Sequence, residues 1–242
     1  MYGKSRSIRE VLKCTVSVVT FASLTTDDLL RSGYNHGMRR ATVDFEFHPL
    51  TSERWPDLVK LFEHHGTPGY CWCMTWRITS AEYQQLDSAG RKRALHSLVK
   101  ASVPIGMLAY HADEPAGWCS IAPRETYARL ERSTTLKRID DQPVWSVVCF
   151  FVRRDRRGQG LALRLLQAAV EHAAAQGAHI VEGYPVEPGH SYQFMGSPAI
   201  FKAAGFRVVA RAENNRPIVR RILRKANTLP QLRKQRRRTT SR

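Results

Sequence analysis

The stretch VWSVVCFFVRRDRRGQGLA, residues 144–162, decides the fold of this chain. Its first part, 144–152, is a short run of β-branched and aromatic residues, which predicts a buried strand. A basic turn with two glycines follows at 153–160, and apolar residues at helical spacing predict a helix from Gly158 to about Gln176. The first N–H groups of a helix have no partner within it, and its dipole adds positive potential there. Strand, turn and helix together therefore predict a phosphate-binding loop.

The spacing of the glycines narrows the kind of nucleotide site. The Gly-Lys-Ser/Thr ending of a P-loop is missing, and Leu163 replaces the third glycine of a dinucleotide fingerprint. The pattern that remains, Val-x-x-x-x-Arg-Gly-x-Gly-x-Ala after a strand, resembles the acetyl-CoA pyrophosphate loop of the GNAT superfamily of N-acetyltransferases. The alternative is an ordinary strand-to-helix connection.

A second block supports the resemblance. The segment SPAIFKAAGF, residues 197–206, is similar to the family's helix ending Tyr-x-x-x-Gly-Phe, and HIVEGY, residues 179–184, lies where the family has its fifth strand. The resemblance spans about Thr42 to Leu223. It implies an α/β fold of α+β layered type, with a mixed, mostly antiparallel central sheet that is flanked by helices and splayed at the cofactor strand.

The resemblance implies acetyl-CoA as co-substrate, held largely by main-chain groups of the cofactor strand and the glycine turn. A β-bulge is expected at Phe150, aiming its N–H at the developing oxyanion. Asp155 departs from the family pattern, which has Gln or Arg there, so we expect it to point away from the pyrophosphate or to cap the helix. The expected cofactor-binding residues are Phe150, Val152, Arg157, Gly158, Gln159, Gly160, Leu161 and Ala162.

The catalytic residues are predicted less directly. An ammonium group must lose a proton before it attacks a thioester, and Glu182, a lone acid in an apolar strand, is the first candidate base. A solvent-facing or salt-bridged glutamate is the alternative, and Glu125 and His111 are weaker candidates. The family often protonates the CoA thiolate with a tyrosine, but Phe201 stands at that position. Tyr184 is therefore predicted as a catalytic residue, with Tyr192 or Ser197 as other donors.

These residues predict an N-acetyltransferase that transfers acetyl from acetyl-CoA to a primary amine of a small molecule or protein by direct attack. A covalent route through Cys149 or Cys119 is disfavoured, because apolar strand surroundings predict inert thiols. The moderate basicity of the domain favours an acceptor with a carboxylate or phosphate. The alternative function is an acyl-CoA-binding regulatory module with weak or no catalysis, whose basic tail contacts nucleic acid or a partner.

Charge divides the 242-residue chain into three parts. Eight Lys or Arg and no acid give residues 224–242 a charge of +8 out of a net +17, which predicts a solvated tail at 225–242 or nonspecific nucleic-acid contact. Residues 1–37 are expected to be a poorly ordered extension, and 38–224 the catalytic domain. No apolar run approaches the ~20 residues of a membrane span.

The cysteines predict a reduced, cytoplasmic protein. Their number, five, is odd, and the chain is large, so a disulfide framework is not expected. Cys71 and Cys73 with His64 or His65 make only a weak metal pattern, and no metal is expected. The segment 70–77, which is rich in aromatic residues, is expected to form either a core plug or one wall of the acceptor pocket.

Overall fold

The computed structural model describes residues 44–63, 69–189 and 191–223. The predicted extension 1–37 and the basic tail 225–242 lie outside these residues, so the expectations for them stay predictions. Within the described part, no helix is long and apolar enough to cross a membrane.

Seven strands form one sheet in the order β1-β2-β3-β4-β5-β7-β6. Every neighbouring pair is antiparallel except β4 and β5, which run parallel. This mixed, mostly antiparallel sheet flanked by helices confirms the predicted fold. The strands are β1 Glu46–Pro49, β2 Gly106–His111, β3 Glu114–Pro123, β4 Trp145–Val152, β5 Ile180–Gly183, β6 Arg207–Arg211 and β7 Pro217–Ile222.

Six α-helices connect and cover the strands in the described residues. They are α1 Trp55–Glu63, α2 Ser80–Gln85, α3 Ser88–Lys100, α4 Ala128–Glu131, α5 Leu161–Ala175 and α6 Pro198–Ala203. Short 3₁₀ turns lie at Arg124–Thr126, Arg154–Arg156 and Gln193–Met195.

Two capped helices, α2 and α3, follow each other closely. Thr79 caps α2 in a reciprocal capping box with Glu82. Asp87 caps α3 by accepting from the Gly90 N–H at 2.6 Å. The break between the two helices therefore lies at 86–87, where a second capping residue begins a new helix.

Apolar side chains form one cluster on each face of the sheet. On one face, α5 packs six buried residues at helical spacing against the strands: Leu161, Leu165, Leu166, Ala169, Val170 and Ala173. On the other, α1, α3 and the segment 71–76 form the second cluster. That segment is buried, as the core-plug interpretation predicts, and the next section shows that it also lines a cavity.

Candidate functional site

The turn between β4 and α5 has an open, left-handed backbone. Gly158 and Gly160 both have φ +75°, a conformation that residues with a side chain rarely adopt. A Cβ on either glycine would meet nothing within 4 Å. Gly160 is the N-cap of α5 and offers no capping side chain. A ligand can therefore reach the backbone of this turn directly.

The N–H groups at the start of α5 have no partner within the chain. In the described residues, none of the main-chain N–H groups of residues 158–162 donates a hydrogen bond, and the first donors are Leu163 and Arg164, both to the carbonyl of Gly160. Consecutive free donors at the positive end of a fifteen-residue helix suit an anionic group. The turn thus fits the pyrophosphate of a CoA molecule, and it brings together Gly158, Gln159, Gly160, Leu161 and Ala162.

Two side chains of the turn fold back onto it. The Arg157 Nε donates to the carbonyl of Val152 at 3.1 Å. The Asp155 carboxylate pairs with Arg153 at 3.0 Å and with Arg156 at 3.4 Å. Desolvation opposes these contacts, but hydrogen bonds and charge from Arg153 leave the pKa of Asp155 lowered. Asp155 therefore does not cap α5, and its charge is neutralised beside the turn.

The sheet opens between β4 and β5, as predicted. Their pairing ends at Val147 with Gly183, whereas β4 continues to Val152. Phe150 and Val152 therefore lie beyond the last paired residues, where main-chain groups of β4 are not covered by β5. This is the expected position of the two strand residues.

The bulge in β4 lies two residues earlier than predicted. Consecutive residues of β3, Ser120 and Ile121, pair with Cys149 and Val147, so the extra residue is Val148 and not Phe150. The bulge interrupts the alternation of the strand, and Val148 and Cys149 both face the α1 side. It directs the Cys149 side chain toward that side.

A small cavity of about 90 Å³ lies beside this part of β4. A single water molecule needs roughly 10–15 Å³ of such space, so the cavity has room for a small chemical group. Phe150 and Phe151 form its β4 wall, together with Cys149. We call it the acyl cavity. The remaining lining residues are Tyr70, Cys71, Cys73, Thr75, Trp76 and Phe194.

Four side chains lie around the Cys73 sulfur. The Trp118 Nε1–H donates to it at 3.3 Å, and Cys149, Ser120 and the Arg77 guanidinium lie near it. The neighbouring Cys149 thiol is the main cause that lowers the pKa of Cys73, against the opposing effect of burial. The same interaction raises the pKa of Cys149.

Cys119, which was considered together with Cys149, lies on the neighbouring strand β3, opposite Phe150, but belongs to the cluster on the other face of the sheet. It belongs to the apolar cluster under α5, and burial raises its pKa. The partner of Cys149 is Cys73. No local pattern in the sequence indicated this pair, because its members are far apart in the chain and only the topology brings them together. Of the proposed metal group, His64 and His65 lie outside the described residues.

Neither of the predicted catalytic residues, Glu182 and Tyr184, lines the acyl cavity. Glu182 is 1% exposed, and both of its oxygens are engaged: Oε1 accepts from Arg124 at 3.0 Å and from the Tyr184 hydroxyl at 2.6 Å, and Oε2 accepts from Arg220 at 2.6 Å. Tyr184 is fully buried, and desolvation raises its pKa far above the usual value. Glu182 is thus the salt-bridged glutamate of the alternative interpretation, because its two oxygens form ion pairs with the buried guanidinium groups of Arg124 and Arg220.

The other candidates for proton transfer differ in access. Glu125 pairs with Arg138 at 2.9 Å on the surface, and the His111 ring lies against Phe45. Phe201 is fully buried and packs on Phe150 and Phe206. Tyr192 is 43% exposed and lines a second, larger cavity next to the acyl cavity. It is therefore the accessible tyrosine of the loop after β5.

A second cavity, of about 410 Å³, adjoins the first. Trp76 lines both, and the rings of Tyr192 and Phe194, one from each cavity, lie 5.6 Å apart. Its walls come from α2, from the loop after α4, from the loop after β5 and from the β6–β7 turn. We call it the basic cavity, because its lining includes Arg129, Arg132 and Arg216.

An anion-binding helix start, an opened parallel strand pair and an adjoining small cavity define an acyl-CoA-dependent transferase. The sequence profile of the Acetyltransferase (GNAT) family matches residues 55–189, more than half of the chain. The chain therefore belongs to this family: it is an acyltransferase with acetyl-CoA as its co-substrate.

Solved structures with similar folds were also found. Aminoglycoside acetyltransferase AAC(6′)-Ib in complex with coenzyme A is 14% identical over 74% of this chain and 95% of its own, with a TM-score of 0.47. The PaiA N-acetyltransferase of Thermoplasma acidophilum, also with coenzyme A, is 13% identical over 74% and 99%, with a TM-score of 0.44. The putative acetyltransferase YncA of Salmonella typhimurium with acetyl-CoA is 13% identical over 76% and 96%, with a TM-score of 0.44. No curated protein matches the chain.

Proposed function

We propose that this enzyme transfers the acetyl group of acetyl-CoA to a primary amine by direct attack of the amine on the thioester. The observation that carries the proposal is the run of free N–H groups at residues 158–162, which lies at the end of the same strand whose side chains line the acyl cavity. A CoA molecule held at the turn by its pyrophosphate can lie along the open edge of β4. Its thioester then reaches Phe150 and the acyl cavity.

The cofactor is held mainly by the main chain in this proposal. Residues 158–162 bind the pyrophosphate, Arg157 contributes charge, and main-chain groups of Phe150 and Val152 bind the pantetheine arm. The enzyme acts in the cytoplasm, where its thiols stay reduced. Cys73, Cys119 and Cys149 are free thiols in the described residues.

The proton of the amine is accepted by Cys73 rather than by Glu182. Among the lining residues of the acyl cavity there is no carboxylate and no histidine. Cys73 is the lining residue whose pKa is lowered: the neighbouring Cys149 thiol is the main cause, and the Trp118 Nε1–H donates to the Cys73 sulfur at 3.3 Å. The amine nitrogen forms the new C–N bond, the C–S bond breaks, the proton passes to the Cys73 sulfur directly or through water, and CoA leaves as a thiolate.

Titration calorimetry with acetyl-CoA tests the cofactor site. The variant Gly158→Glu places a side chain at φ +75° and a negative charge in the open turn, so we expect it to abolish the binding that the wild type shows. Gly177→Glu is the matched control, because Gly177 lies at the other end of α5, at φ +84° and also in open space. Wild-type protein that takes up no acetyl-CoA, or equal loss in both variants, would contradict the proposed site.

A further inference from the structure

The basic cavity contains positive charges that the protein itself does not balance. Arg129, Arg132 and Arg216 line it, and none of its lining residues is an acid. In the described residues, none of the three makes an ion pair. This is unusual, because buried or half-buried charges in proteins are normally paired. A cavity lined in this way favours a negatively charged ligand.

Arg216 is the most informative of the three. Its guanidinium is half-buried and donates to the main-chain oxygens of Tyr184 and Pro185, which carry no net charge. Desolvation lowers the pKa of Arg216 to about 10. The remaining Nη1 has no partner in the described residues, so the group keeps a free donor and an unbalanced charge at the cavity wall.

The other two arginines hold their charge at the cavity without an acid. Arg129 stacks over the ring of Trp76 at 5.7 Å, and its Nη1 lies 3.5 Å from the carbonyl of Thr75. Arg132 is exposed. Its electrostatic interaction with Glu82 is a minor contribution to the lowered pKa of that residue, because Glu82 is held mainly by Thr79.

The size and position of the cavity indicate where the anion lies relative to the reacting amine. At about 410 Å³ the cavity suits a small molecule rather than a folded protein surface. Since Trp76 lines both cavities, an acceptor can place its amine at the acyl cavity and the rest of its structure among the arginines. Guanidinium groups bind carboxylates and phosphates through paired, charge-assisted hydrogen bonds.

We propose that the acceptor is a small primary amine carrying a carboxylate or phosphate group, which Arg129, Arg132 and Arg216 bind in the basic cavity. This rests on the proposed function and specifies its substrate class. The same charges disfavour polycationic acceptors, because an added cation would be repelled.

Matched amine pairs provide the test on the full chain. Acetylation of 4-aminobutyrate is compared with that of butylamine, and acetylation of O-phosphoethanolamine with that of ethanolamine, by following release of free CoA. We expect kcat/KM to be roughly 10- to 100-fold higher for the anionic member of at least one pair, the range expected for charge-assisted hydrogen bonds. The pair with the larger ratio identifies carboxylate or phosphate as the anion.

Variants link this preference to the cavity. The double variant Arg129→Gln/Arg132→Gln should reduce the preference about tenfold through KM for the amine, and should leave KM for acetyl-CoA unchanged. Arg93→Gln/Arg207→Gln removes two exposed charges that line neither cavity and is the matched control for net charge. Equal loss in both double variants would overturn the proposal, because the effect would then be one of overall charge.

Two further outcomes separate this inference from the proposed function. Equal acetylation of neutral and anionic amines would overturn the anionic substrate class and leave the transferase assignment intact. If no amine is acetylated, binding of O-phosphoethanolamine and of 4-aminobutyrate to the CoA-loaded protein is measured by titration calorimetry instead. Binding of either, lost in the Arg129→Gln/Arg132→Gln variant, supports the basic cavity, and no binding of either overturns it.

Discussion

Two groups of arginines, both with a member that contacts Tyr184, differ in their partners. Arg124 and Arg220 are buried and share Glu182, with Glu131 and Asp140 as further partners at 2.6 Å. The arginines of the basic cavity make no ion pair in the described residues. The first group is internally neutralised, whereas the second leaves its charge available to a ligand.

This difference separates structural charge from functional charge. Glu182 is a lone acid in an apolar strand, which made it the first candidate base, but its two guanidinium partners make it a link between β5, β7 and the 3₁₀ turn after β3. The unpaired arginines cost the fold some stability, and a binding role accounts for that cost.

The largest expected effect comes from breaking the paired group. Glu182→Gln leaves Arg124 and Arg220 buried without their shared counter-charge, so we expect the free energy of unfolding to fall by about 3–5 kcal/mol. Urea unfolding followed by fluorescence measures it. The kcat per folded molecule should stay close to that of the wild type at low temperature.

Glu213→Gln is the control for this change, because Glu213 pairs with Lys137 on the surface, where both side chains are largely exposed. We expect no measurable loss of stability there. A Glu182→Gln protein that is as stable as the wild type but inactive would restore Glu182 as the catalytic base and contradict the structural assignment.

The sequence predicted the sheet and the cofactor turn, because both depend on local patterns. The apolar run of β4, the glycines at 158 and 160 and the periodicity of α5 lie within one stretch, and each constrains the backbone directly. The acyl and basic cavities could not be predicted in the same way. Cys73 lies near Cys149, and Arg129 and Arg216 line the same cavity, only because segments that are distant in sequence pack together.

Glu182 illustrates the limit of local patterns most clearly. An acid in an apolar strand made Glu182 the first candidate base, with a salt-bridged glutamate as the alternative. Its two partners, Arg124 and Arg220, lie 58 and 38 positions away in the chain. A local pattern therefore cannot show whether the carboxylate faces a substrate or these arginines. The bulge at Val148 is a similar case, because register depends on the partner strand β3.

If Glu182 belongs to the paired group, the proton acceptor must lie on the cavity side, and Cys73 is the residue to test. The neighbouring Cys149 thiol lowers the pKa of Cys73 against the effect of burial, so the ionised sulfur is lost as the pH falls through that pKa. We therefore expect kcat at saturating substrates to fall on the acidic side. Cys73→Ser should lower kcat by on the order of 10²-fold and remove this dependence.

Cys119→Ser serves as the thiol control, because Cys119 lies under α5 and lines neither cavity. It should keep the wild-type pH profile. Intact-protein mass spectrometry after incubation with acetyl-CoA alone should show no acetylated Cys73, as direct attack requires. A stable acetyl adduct on Cys73 would replace proton acceptance with covalent transfer, and an unchanged pH profile in Cys73→Ser would exclude both roles.

The smallest expected effect on the fold comes from the unpaired group. Arg132 is exposed and without an ion pair in the described residues, so Arg132→Gln should change the free energy of unfolding by no more than about 0.5 kcal/mol. The same change should raise KM for an anionic amine several-fold, because one of three cations at the cavity is lost.

Adding salt should weaken the wild-type preference for anionic amines, since the charge of Arg132 is screened by solvent ions. Urea unfolding and steady-state kinetics on one preparation measure both quantities. If Arg132→Gln instead unfolds the protein as Glu182→Gln does, the distinction between the two groups of arginines is wrong.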